Sequence, residues 1–158
     1  MSTVMIVANQ TLGADTLRAT VRDRIDGGVR DFYVVVPATH TTHESAGWMG
    51  GFEGMSSKVM AEALERDAER LGEAHLRAEH RLSRMIDQIE AAGGSAEGEV
   101  GDDDPLVAAK EALRGRKVEE IIVSTLPHAR SRWLRMDLPS RLARATTAVV
   151  TTLEARPG

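Results

Sequence analysis

The sequence of 158 residues predicts a single α/β domain: a doubly wound, Rossmann-like sheet of five parallel strands with helices on both faces. Short apolar runs alternate with stretches whose apolar residues recur at helical spacing, in the order βαβαβαβαβ. The strand runs are nearly continuous rather than alternating, as in strands covered on both faces. The length fits one domain, which at this size hides roughly 68–70% of the surface its unfolded chain exposes.

Thr3 to Ala8 is the first such run. Ala14, Leu17, Val21 and Ile25 then mark a helix, with Arg18, Arg22, Asp23 and Arg24 on its other faces, ended by Gly27-Gly28. Phe32 to Val36 is a second strand, stopped by Pro37, and the three elements make a βαβ unit of right-handed crossover. A loop from Ala38 to Ser56 follows, holding His40, His43, Trp48 and four glycines. Ser56 or Ser57 opens a long helix with an apolar stripe of Met60, Leu64, Leu71, Ala78, Leu82, Met85 and Ile89. It stops at Gly93-Gly94, and a break near Gly72 is expected. Ser95 to Val100 is a weaker strand. Asp103 or Asp104 caps a helix with Pro105 in its first turn and Leu106, Ala109 and Leu113 facing inward. Glu120 to Ser124 is the fourth strand. After an Arg-rich connection, Leu138 and Leu142 mark a short helix, and Thr147 to Thr151 is the fifth strand. The domain is expected to span 1–153, with a frayed tail over 154–158.

Composition narrows the function. With 42% hydrophobic and 28% charged residues the chain is an ordinary globular one. The absence of cysteine excludes disulfides, thiolate catalysis and Cys-ligated metal. No basic, apolar leader and no run of about 18 apolar residues is present, so the expectation is a cytoplasmic protein with no membrane partner. Residues 127–144 hold five arginines against Asp137, a local +4 on a chain of net −4. Such a patch points to an anionic ligand or partner, and five arginines alone are too few to imply nucleic acid.

In the residues Val4-Met5-Ile6-Val7-Ala8-Asn9, the long second helix, Gly101-Asp102-Asp103-Asp104-Pro105, the strand ending in Ser124-Thr125, and Ala148-Val149-Val150-Thr151, the chain resembles the universal stress protein family. The resemblance covers nearly the whole chain and implies strand order 3-2-1-4-5, with a ligand crevice between strands 1 and 4. ATP-binding members carry Gly, two residues, Gly, nine residues, then Gly-Ser or Gly-Thr after strand 4. The same spacing here lands on Ser124, Pro127 and Asp137-Leu138. Glycine lets backbone amides approach phosphate, whereas Pro127 has no amide proton and Asp137 brings negative charge. The acid that ends strand 1 in such members is Asn9 here. ATP by the family's usual route is therefore disfavoured, and no other cofactor is implied.

The candidate ligand residues are Asn9, Gln10 and Thr11 after strand 1, Ser124 and Thr125 ending strand 4, and Arg130, Arg132 and Arg135 beyond it. The amide and hydroxyl groups suit a base or sugar edge, or equally the capping of neighbouring backbone. The arginines suit a phosphate or carboxylate, and Trp133 could stack on a planar ring. The plainer reading of that segment is a solvated loop, its arginines paired with acids while Trp133 and Leu134 plug the sheet edge. His40, His43 and Glu44 lack a third histidine and read as a solvated loop rather than a metal site. Asp102 to Asp104 are explained by capping, and no catalytic role is assigned.

The leading expectation is a binding or regulatory protein, more readily non-enzymatic, that dimerises through edge strand Thr147–Leu153, which lacks charge and proline. An adenine-nucleotide-binding or -hydrolysing protein is the alternative, though no general base accompanies a phosphate cradle. A third reading makes the Arg-rich segment a dock for an acidic protein surface.

Overall fold

The computed structural model describes residues 3–38, 57–127 and 131–155. Among them the chain runs β1 (Thr3–Val7), α1 (Asp15–Asp26), β2 (Asp31–Pro37), α2 (Ser57–Ala91), β3 (Ser95–Gly101), α3 (Pro105–Leu113), β4 (Glu120–Thr125), α4 (Arg132–Arg135), α5 (Leu138–Ala145) and β5 (Val149–Glu154). The five strands form one parallel sheet in the order β3-β2-β1-β4-β5. β1 lies at the centre, with Ile6 opposite Val34 on one side and Ile122 on the other.

The continuous apolar runs find their reason in this placement. β1, β2 and β4 have covered faces, and Met5, Ile6, Val34, Ile121 and Ile122 are fully buried. One core packs α1 (Leu17, Val21, Ile25) and α2 (Ala78, Met85, Ile89) on the face carrying Val4, Ile6, Val34 and Ile122. The other packs α3 and α5 (Leu138, Leu142) against Met5, Val7, Val35, Ile121 and Val123.

Several elements differ from expectation. α2 is continuous for 35 residues, and Gly72 does not break it. A single glycine costs about 1 kcal/mol relative to alanine, too little to interrupt so long a hydrogen-bonded ladder. The helix is about 52 Å long at 1.5 Å per residue. The seven-residue strands reach only about 23 Å, so the helix is more than twice their length. Of the expected stripe, Ala78, Met85 and Ile89 are buried and Leu82 packs against them, while the side chains of Met60, Leu64 and Leu71 lie outside the described set.

α3 turns a partly different face to the sheet, with Ala109 inward as expected. Ala108, Ala109 and Ala112 are buried, whereas Leu106 and Leu113 only flank the core. The helix sits close: a Cβ added to Gly101 would stand 2.8 Å from Ala108 Cβ, so only small residues fit the contact. Asp104 is its cap, accepting from the backbone amides of Leu106 and Val107. The Arg-rich connection contains the helical turn α4, and β5 begins at Val149 rather than Thr147. β5 continues through Glu154, and Ala155 is buried with its amide bonded to Thr125 O at 2.8 Å.

Candidate functional site

β1 connects towards β2 on one side of the sheet and β4 towards β5 on the other, so the strand order reverses between β1 and β4. In open α/β sheets the segments leaving such strands diverge and leave a crevice at their carboxyl ends. The described residues of these segments here are 8–14, entering α1, and 126, 127 and 131, before α4.

The buried polar residues among those described gather at this edge: Asn9, Thr11, Ser124, Thr125 and Ser131, each no more than 5% exposed. An unpartnered buried hydroxyl or amide costs roughly 1–3 kcal/mol, so each must be answered locally. Thr11 Oγ1 donates to Ser124 O at 3.0 Å and lies 2.7 Å from Ser124 Oγ, which then donates back to it. This pair crosses the switch point directly. Thr125 Oγ1 lies 2.5 Å from Ser131 Oγ, and Ser131 Oγ accepts from the Leu134 amide at 3.1 Å, capping α4. Asn9 Nδ2 donates to Pro37 O at 2.7 Å, tying β1 to the end of β2. Its Oδ1 accepts from Arg81 Nη1 at 2.5 Å.

Of the residues expected from sequence, Asn9, Thr11, Ser124 and Thr125 are thus brought together. Gln10 stands exposed among them. Arg132 and Arg135 lie on the exposed side of α4, and Arg130 falls outside the described residues, as do His40, His43 and Trp48. Trp133 is half-buried and packs on the core of Met5, Val7 and Leu138, which favours the expectation that it plugs the sheet. Asp137 adopts a left-handed backbone, φ 57°, immediately before α5.

Two participants escape the sequence reading. Ser131 is one; its signal is a serine three residues before an amide that needs an acceptor. The other is Arg81, half-buried on α2. Its place beside Ala78, Leu82 and Met85, at the border of the apolar stripe, is the signal that was available. Burial, and then the charge of Arg77 one turn earlier, lowers its pKa from the usual arginine value. Among the described residues no group of three His, Asp or Glu side chains could hold a metal ion, and no helix is long and apolar enough to cross a membrane.

No family model matches the sequence, and no significant relative was found among curated proteins. Solved structures do resemble it. The universal stress protein from Archaeoglobus fulgidus is 11% identical, with a TM-score of 0.57 over 98% of this chain and 94% of that one. A universal stress protein in complex with cAMP is 12% identical, with a TM-score of 0.54 over 97% of this chain and 96% of the other. These likenesses span nearly the whole chain and establish that it has the universal stress protein fold, with the strand order the sequence resemblance implied.

Proposed function

We propose that the chain is a universal-stress-protein-like binding and regulatory protein that seats a small anionic ligand at the carboxyl ends of β1 and β4. The observation that carries this reading is the gathering of five buried polar side chains at that edge. Interiors of this kind avoid such groups unless a site or a structural network needs them. A fold neighbour binds cAMP, which supports the nucleotide class of ligand. Asn9, Gln10, Thr11, Ser124 and Thr125 form the floor, and Arg132 and Arg135 on α4 supply positive charge at the β4 side.

ATP held by backbone amides is not part of the proposal. The Ser124 hydroxyl is engaged by Thr11, Pro127 offers no amide proton, and Asp137 carries a carboxylate. The protein acts by binding rather than by catalysis, and incubation with ATP is expected to release no phosphate.

The test is mass spectrometry of gently purified protein for a retained small molecule, followed by thermal shift with ATP, ADP, cyclic nucleotides and sulfate. Stabilisation by an anionic ligand, diminished on Arg132→Ala and Arg135→Ala substitution, is the expected result. A protein that none of these ligands stabilises, and that carries nothing from the cell, would remove the proposal.

The same reading includes a homodimer formed through β5, whose outer edge has no neighbour in the described sheet and whose Val149 is 65% exposed.

A further inference from the structure

We propose that Arg81 is an anion-recognising residue of this ligand seat, taking a phosphate ester or a similarly compact oxyanion from the α2 side of the crevice. The inference rests on the carboxyl edge being a ligand seat, and adds the group that would choose the ligand's charge.

A guanidinium has five N–H donors, and a half-buried one needs acceptors, best of all a carboxylate or phosphate. Arg81 is half-buried, and its acceptor is the neutral carboxamide oxygen of Asn9. That carboxamide cannot turn away, because its Nδ2 is held by the Pro37 carbonyl. Among the described residues no carboxylate pairs with Arg81, and the charged group acting on it is another cation, Arg77. Arg24 makes the contrast. Also half-buried, it grips Glu120 with two N–H groups, Nε at 2.7 Å and Nη2 at 2.9 Å.

Asn9 lies two residues beyond β1, so Arg81 reaches the carboxyl end of the central strand, beside the point where the strand order reverses. An acid at position 9 would form an internal ion pair with Arg81. Asparagine orients the guanidinium without neutralising it. The remaining donors can then meet two oxygens of one oxyanion side by side.

Two substitutions test this on the full chain, with calorimetric affinities for cAMP, AMP, adenosine, inorganic phosphate and sulfate. Arg81→Gln removes the charge; Asn9→Asp leaves Arg81 in place and supplies a competing carboxylate. Both are expected to weaken binding of the phosphate esters about tenfold or more, the scale of one charge-assisted contact, and Arg81→Gln to leave adenosine unchanged. Binding of AMP and cAMP by both variants within twofold of the parent would overturn the role of Arg81 while leaving the ligand seat intact. Should Arg81→Gln not fold, unchanged phosphate-ester affinity in Asn9→Asp has the same consequence. A parent protein that binds none of the five probes overturns the seat and this inference together. Loss on Arg132→Ala and Arg135→Ala with none on Arg81→Gln would move recognition wholly to the β4 side.

Discussion

Asp137 is the non-glycine residue with positive φ among those described, at 57°, and its side chain makes no capping bond to α5. Aspartate tolerates this conformation better than most residues, but alanine there pays a steric cost of roughly 1–2 kcal/mol. Asp137→Ala is therefore predicted to destabilise the protein by about 1 kcal/mol in urea unfolding, and Asp137→Gly to be neutral or slightly stabilising. By spacing the position is the one on which the last glycine of the nucleotide motif would fall, and its left-handed backbone is a form glycine adopts without steric cost. Tyr33 offers an optical probe, being the chain's single tyrosine. Burial first, then the hydrogen bond to Glu99 Oε1 at 2.7 Å, push its phenol up to about 12. Because the folded value exceeds the usual 10, Tyr33 contributes stability that is complete below pH 10 and lost between about 10 and 12. Absorbance titration should give a midpoint near 12 in the parent and a lower one in Glu99→Gln. Asn9, Thr11, Ser124 and Thr125 could be singled out beforehand because strand ends are legible from hydrophobic runs. Their partners could not, since Arg81 and Asn9 are 72 positions apart and meet only through the tertiary fold.

Elements whose signal is local were legible: strand runs, glycine stops, and the Asp104-Pro105 start of α3. Those set by packing distance were not, which is why Ala108 and Ala112 join the expected Ala109 in the core while Leu106 and Leu113 only flank it. β3 and α2 approach just as closely at Gly98, where an added Cβ would stand 2.4 Å from Val34 O and 2.5 Å from Leu82 Cδ1. Backbone cannot yield as a side-chain tip can, so Gly98→Ala is predicted to cost about 2 kcal/mol or more, read from the urea midpoint at unchanged slope. At the opposite end of the sheet Glu120 joins α1, β4 and β5, accepting from Arg24 and from Thr151 Oγ1 at 2.6 Å. The Arg24 hydrogen bond, with help from Thr151, holds its carboxyl below the usual carboxylate range against the opposing effect of burial. The folded value being the lower one, its stabilisation is complete above about pH 4.5 and is lost below that as pH falls through the folded value. Glu120→Gln should cost about 1–2 kcal/mol at neutral pH and flatten the acid limb of the stability curve.

For the molecule as a whole, five short runs and their intervening helices were enough to reveal the architecture, and the order of strands followed from family likeness rather than from any residue pattern. Quaternary structure belongs to this scale. If β5 pairs with a second copy, Val149→Lys with Thr152→Lys should convert a dimer of about twice 17.1 kDa into a monomer in sedimentation equilibrium. A parent already monomeric at micromolar concentration would dismiss the dimer. The central strand also governs how the chain can mature on the ribosome. Residue 6 acquires its second neighbour only at residue 122, so one flank of β1 stays unsealed until more than three-quarters of the polypeptide has been made. Nascent chains of this topology pass through a long adhesive interval, and at high expression they should draw on chaperones more heavily than a helical bundle of equal length.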